Sequence, residues 1–178
     1  MADRETELML RVKADDRAAF EEIYALYRKP LANFLYRLCW NRTLAEDLLQ
    51  ETFLRLWRAA PGYEPSARVS TYVFKIAHNL HLNEAARRRV KVMEDAEPEM
   101  RSDPSSDLHR REVQNAVRKA VDSLPEGERE CLLLSEFQGF KYAEIAEILG
   151  IPTGTVKSRM FSAVAHLREA LQGLEPGP

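Results

Sequence analysis

Cysteine is scarce in this chain of 178 residues: Cys39 and Cys131 stand alone and far apart. That excludes a disulfide framework and any Cys-x-x-Cys zinc spacing, and fits two buried thiols in a reducing cytoplasm. Glycine is scarce too, with 7 residues, and neither a phosphate-cradling loop nor a nucleophile elbow is present. No apolar run approaches the ~18 residues that a membrane helix needs, so no membrane insertion is expected. The opening MADRETELML lacks a basic segment ahead of an apolar core, so no signal peptide is expected either, and the protein should be cytosolic and soluble. Converging acid–base pairs are also missing. The adjacent carboxylates Glu46 and Asp47 would lie roughly 100° apart on a helix and cannot meet on one substrate. His78-x-x-His81 has a helical metal spacing but lacks further placed ligands. Catalytic residues, metal and cofactors are therefore all expected to be none. A large charge of one sign is absent as well, the net value being −2, but this average conceals two strongly charged stretches of opposite sign.

What is present is helical periodicity. With 45% hydrophobic and 30% charged residues there is apolar material for globular cores, and the pattern predicts an all-α protein. Residues 142–171, YAEIAEILGIPTGTVKSRMFSAVAHLREAL, read as two helices about a tight turn. Ile145, Ala146 and Leu149 form the first apolar face, Gly150 is a left-handed stop, and Ile151-Pro152 blocks continuation. Thr153 or Thr155 can cap a second helix whose buried stripe is Val156, Met160, Ala163, Val164, Leu167 and Leu171. This is a helix-turn-helix pattern. Thr155, Ser158, Phe161, Ser162 and Ala165 point away from the stripe, flanked by Lys157 and Arg159. A hydroxyl-rich face rimmed by cations suits a helix that enters the major groove of DNA.

Upstream, Asp3 can cap a short helix carrying Leu8, Met9 and Val12. A longer one follows with Phe20, Ile23, Tyr24, Tyr27, Leu31, Phe34, Leu35 and Leu38, which Pro30 should bend or restart. Thr43 is a reasonable cap for a helix over 44–60, with Ala45, Leu48, Leu49, Thr52, Phe53, Leu56 and Trp57 on its buried face. Its opposite side carries Asp47, Gln50, Glu51, Leu54, Arg55 and Arg58. Leu54, ringed by charge, has the setting of an interface anchor. After a loop over 61–66, Ser70 or Thr71 caps a helix to about residue 90, with Val69, Val73, Ile76, Ala77 and Leu80 inward. Its outer stripe is Tyr72, Lys75, Asn79, Asn83 and Ala86. An aromatic, a cation and two amides suit an unstacked single strand, with bases on Tyr and Asn and phosphate on Lys.

Residues 68–91 hold six cations against Glu84, a local +5, while residues 94–107 hold six acids against Arg101, a local −5, with two prolines and three serines. The acidic stretch reads as a flexible linker that divides the chain into two small helical domains. Beyond it, Val113, Ala116, Val117, Ala120, Val121 and Leu124 make one amphipathic helix. Pro125 opens another at its first position, with Cys131, Leu132, Leu134 and Phe137. No internal repeat is present.

Four stretches, AEDLLQETFLRLW (45–57), STYVFKIAHNL (70–80), SLPEGERECLLL (123–134) and YAEIAEILGIPTGTVKSRMFSA (142–163), together resemble the extracytoplasmic-function sigma factors of the sigma-70 family. The resemblance implies a region 2 domain over 1–93, the acidic linker over 94–107, a region 4 domain over 108–174 and a tail over 175–178. It implies core RNA polymerase binding through Asp47, Gln50, Glu51, Leu54 and Arg58. Melted minus-ten DNA would meet Tyr72, Lys75, Asn79, Asn83, Arg87 and Arg88, with residues 61–69 as the pocket for a flipped base. The minus-thirty-five duplex would meet Thr155, Lys157, Ser158, Arg159, Phe161 and Ser162. The linker would thread the polymerase, and the implied partners are core polymerase, promoter DNA (duplex and single-stranded) and an anti-sigma factor. The chain departs from the family pattern at Tyr72, where Trp is usual, at Ser162, where a basic residue is common, and at Lys141, where Ser or Thr commonly caps. A dimeric helix-turn-helix regulator would account for the second domain and leave the first without a role.

Overall fold

The computed structural model describes residues 4–91 and 108–172. The linker over 94–107, the tail over 175–178 and the Asp3 cap lie outside the described residues. The regular secondary structure among the described residues is all helical, with no strand. The elements are α1 (Arg4–Lys13), α2 (Arg17–Cys39), α3 (Arg42–Ala59), a 3-10 turn (Ala60–Gly62), α4 (Val69–Lys91), α5 (Leu108–Asp122), α6 (Glu126–Leu132), a π-turn (Leu133–Phe137), α7 (Tyr142–Leu149) and α8 (Thr153–Ala170).

The capping chemistry sets the helix starts, and several lie where the sequence reading did not put them. Asp16 caps α2 by accepting from the Ala19 N–H at 3.1 Å. Its carboxyl is held below the usual range by that bond first and by Arg11 second. Asn41, rather than Thr43, caps α3, accepting from the Leu44 N–H at 2.9 Å. Asn41 has the extended backbone a cap requires, whereas Thr43 is already inside the helix. Ser70 and Thr71 likewise sit inside α4, which begins at Val69. Neither Thr153 nor Thr155 caps α8. Pro152 takes the cap position, and its carbonyl accepts from Thr155 N at 2.9 Å and Val156 N at 3.2 Å. Pro125 stands one position before α6 rather than at its first residue. At α7 the cap is Lys141, and Glu144 compensates by accepting from the Lys141 N–H at 2.8 Å. Gly150 ends α7 at φ 66, as its sequence position predicts.

Pro30 does not restart α2, which runs unbroken to Cys39. Proline deprives only the Leu26 carbonyl of its partner, and burial of Ile23, Tyr27, Leu31 and Phe34 on either side holds the helix together. Around α2, the inner faces of α1, α3 and α4 close a core that includes Met9, Leu35, Leu56 and Val73. The second core gathers Leu133, Leu134, Ile145, Ile148, Val156 and Met160. Here α7 uses Ile145 with Ile148, three residues on, while Ala146 and Leu149 are only half-buried. Five residues expected inside are exposed instead: Tyr24, Val113, Val117, Phe137 and Val164. Among the residues of α5 whose burial is described, Ala120 and Val121 near its C-terminal end are buried, as is Leu124 just beyond it. Phe137 is covered on one side by the Arg37 guanidinium, 3.8 Å from its ring centre.

The two cores are continuous. Phe34 of α2 packs against Phe74 of α4 (5.3 Å between ring centres), and Phe74 against Phe140 before α7 (4.9 Å, edge to face). Polar contacts follow the same seam: Arg68 with Glu144 at 3.0 Å, Arg89 with Glu126 at 3.0 Å, and the Gln138 amide donating to the Pro30 carbonyl at 3.4 Å.

Candidate polymerase and nucleic-acid interfaces

Burial of Ala45, Leu48, Thr52, Phe53 and Leu56 fixes the rotation of α3 and so decides what it shows outside. Thr52 stays satisfied in the core by donating to the Leu48 carbonyl at 2.6 Å. At roughly 100° per residue, Asp47, Gln50, Glu51, Leu54 and Arg58 fall within about 100° of the helix circumference. Leu54 sits in the middle of this group with half of its surface (50%) exposed, and Glu51 is braced by Arg55 at 2.9 Å. The result is an apolar residue held among charges on a rigid helix, which is how a specific protein interface is built.

On α4, burial of Val69, Val73, Phe74 and Ala77 turns Tyr72, Lys75 and Asn79 toward the loop over 61–68. A cavity of about 370 Å³ lies there, lined by Tyr63, Glu64, Ser66, Ala67, Tyr72, Lys75, Ile76, Asn79 and Glu147. Its volume lies at the lower end of the ~300–1,000 Å³ common for small-molecule pockets. Tyr63 and Tyr72 stand 5.5 Å apart between ring centres, and the Lys13 ammonium pins the loop by donating to the Tyr63 carbonyl at 2.8 Å. Burial pushes the Tyr72 phenol up, so it stays protonated and able to donate. Of the six α4 residues expected to meet DNA, the structure brings Tyr72, Lys75 and Asn79 into one cavity. Asn83, Arg87 and Arg88 continue along the exposed surface, with Glu84 paired to Arg88 at 3.1 Å and to Arg87 at 3.8 Å.

Tyr63, Glu64, Ser66 and Ala67 of this lining lie in the loop over 61–69 that the resemblance offers as the pocket, whereas Glu147 was not singled out by sequence reasoning. Tyr63 had a visible signal, as an aromatic just after a Pro-Gly turn. Glu147 had none, because it comes from α7, far along the chain.

On α8, Lys157, Ser158 and Phe161 are exposed, Phe161 at 81%, and Thr155 and Ser162 are half-buried. Ser158 donates to the Thr155 carbonyl at 3.0 Å. Arg159 does not join the outer row. Its guanidinium folds back over α6, so that a Cβ at Gly127 would come within 2.6 Å of it. Burial pushes the nearby Cys131 thiol up, and Arg159 offsets part of that. Val164, exposed, extends the Phe161 surface by one helical turn.

The histidines at helical metal spacing are used otherwise. His78 Nε2 lies 3.0 Å from Glu130 Oε1 of α6, with both side chains buried, while His81 is buried beside them and pushed down by that burial. Among the described residues no group of three or more His, Cys, Asp or Glu is placed to hold a metal ion.

Two family models match the chain in order, sigma-70 region 2 over residues 23–90 and sigma-70 region 4 over residues 114–167. The extracytoplasmic-function RNA polymerase sigma factor EcfG of Rhodopseudomonas palustris is 34% identical, the match covering 79% of this chain and 78% of EcfG. The RNA polymerase sigma factor CarQ of Myxococcus xanthus is 32% identical over 94% of this chain and 97% of CarQ. The chain belongs to the extracytoplasmic-function group of the sigma-70 family. Among solved structures it is similar to the sigma factor RpoE of Bartonella quintana, crystallised with the anti-sigma factor NepR, at 27% identity and a TM-score of 0.71. That match covers 86% of this chain and 97% of RpoE. As a sigma factor the protein serves RNA polymerase in transcription initiation and is not itself an enzyme. In sigma terms the region 2 match takes in most of α2, all of α3 and nearly all of α4. The region 4 match runs from α5 into α8. Among the described residues no helix is long and apolar enough to cross a membrane.

Proposed function

We propose that this sigma factor recruits core RNA polymerase in the cytoplasm through the α3 stripe at Asp47, Gln50, Glu51, Leu54 and Arg58. It then holds melted minus-ten DNA along α4 and reads the minus-thirty-five duplex with α8. The observation that carries the reading is the cavity beside α4. An aromatic, a cation and an amide converge there, the set that receives an unstacked base and its phosphate. Asn83, Arg87 and Arg88 continue the basic, amide-bearing track for the strand beyond it. On α8, Ser158 and Phe161 face base edges, Lys157 reaches phosphate, and Thr155 and Ser162 support them at the edge of the readout surface. Arg159 positions α8 on α6 in the free chain and remains a phosphate contact once released.

The RpoE relative is solved with an anti-sigma factor, which supports an inhibitory protein partner for this chain as well. The test is transcription by core polymerase reconstituted with the chain on a duplex promoter and on the same promoter with its minus-ten segment pre-melted. Asn79→Ala should impair the first template more than the second. Equal transcription by variant and wild type on both templates would remove α4 from the readout.

A further inference from the structure

Where α4 meets α6, the seam is built from titratable side chains rather than apolar ones. His78 and His81 stand one turn apart on α4, both buried, and Glu130 of α6 is buried against them. His78 Nε2 and Glu130 Oε1 lie 3.0 Å apart, and Nδ1 of the same ring has no partner within the protein. Glu126 of α6 pairs with Arg89 of α4 at 3.0 Å beside this cluster. Of all these groups only histidine ordinarily changes its charge close to neutral pH. The fourth pairing of this kind, His166 with Glu128 at 2.7 Å, joins α8 to α6 and does not cross the seam.

The charges that bear on His81 are Glu130, Glu126 and Arg129 of α6 and His78 on its own helix. Burial is the largest influence and pushes His81 down; Glu130 and Glu126 oppose it, while His78 and Arg129 add to it. A positive charge on the buried ring would be poorly hydrated, with a second histidine beside it. When α6 leaves α4, the ring reaches water and regains the ordinary histidine value of ~6.5. The parted chain therefore binds a proton more readily than the joined one. Linkage then makes the contact strongest above the ordinary value and weaker as pH falls from there toward the lowered one.

We propose that the cluster of His78, His81 and Glu130 is an acid-sensitive joint: in mildly acidic solution His81 takes up a proton from water, and α6 parts from α4 while the helices on both sides stay folded. Acid then acts on the sigma factor directly, without a partner protein.

The test uses the full chain with fluorophores at the exposed positions Glu46 of α3 and Lys119 of α5, and counts single molecules of high and low energy transfer. Between about pH 7.5 and about pH 5.5 the ratio of low-transfer to high-transfer molecules should rise reversibly by up to about tenfold, the limit for one proton and an ordinary value of ~6.5. Helicity by circular dichroism should stay constant over the same range. In His81→Leu and His81→Gln, neither of which can take the proton, the ratio should stay flat. Ring-proton resonances of the wild type give a readout that needs no variant: at high transfer, His81 should titrate below free histidine. A wild-type ratio that does not move, a rise that persists in either folded variant, helicity lost in step with transfer, or a His81 ring that titrates like free histidine overturns the joint.

Discussion

His78 of α4 and Glu130 of α6, 52 positions apart in sequence, face each other at 3.0 Å with side chains only 3% and 7% exposed. A buried carboxylate beside a buried imidazole is the costliest kind of contact to break on one side only. His78 Nδ1 has no partner within the protein, so Glu130 carries all of the ring's hydrogen bonding there. Glu130→Ala should therefore cost about 1–3 kcal/mol. At about 2–4 °C of Tm per kcal/mol for a chain of this size, calorimetry resolves it. Glu130→Gln, which keeps an acceptor, should recover most of the loss. Equal Tm for Glu130→Ala and wild type would mean that the pair does not hold the seam.

Leu54 separates interface from fold. Half of its surface is in water, so Leu54→Arg should shift stability by no more than about 0.5 kcal/mol. The same change should weaken binding to core polymerase by at least about 1–2 kcal/mol, as expected for an anchor residue. Unfolding of the variant, or normal binding to core polymerase, would contradict this.

Gly127 and Arg159 should be energetically coupled. A glycine within a helix normally gains up to about 0.5–1 kcal/mol on change to alanine. Here the new Cβ would meet the Arg159 guanidinium at 2.6 Å and push it out. Gly127→Ala should thus stabilise the chain less than it does in an Arg159→Ala background. A double-mutant cycle reads the difference, and strict additivity would show that Arg159 does not rest on α6.

Acid should weaken the start of α2. The Asp16 carboxyl is held below its ordinary value by the Ala19 N–H and Arg11, so it binds a proton more readily in the unfolded chain. Its contribution is fully present above the ordinary carboxylate pKa and fades as pH falls through the lowered folded value. Asp16→Ala should lower Tm at neutral pH, and the gap between variant and wild type should close at strongly acidic pH. A gap that persists there would assign the effect to something other than the ionised cap.

The helices and most of their inner faces were legible because periodicity depends on neighbours three and four residues apart. The exposed set on α3 followed from the same count, which is why Leu54 stood out. Cap choice was less legible. Asn41 and Thr43 are both good capping residues, and only the backbone angles decide between them. Apolar stripes were read too long at Val113, Val117 and Val164, since a stripe does not disclose where its partner helix ends. The seam left no local signal at all. His78, Glu130 and Glu147 come from separate helices, and nothing around any one of them names the others. Arg159 looked like a DNA contact because cations on an outer helix usually face solvent, and Gly127, which makes room for it, lies on another element.

The most direct measurement is selection of active promoters from a random duplex pool, using core polymerase reconstituted with the chain. Two sequence blocks should emerge, centred about 25 base pairs or ~85 Å apart. Asn79→Ala should flatten preference in the downstream block alone, and Phe161→Ala in the upstream block alone, each by roughly 1–3 kcal/mol at the affected positions. A single palindromic block, or two blocks indifferent to both substitutions, would contradict the division of labour between α4 and α8.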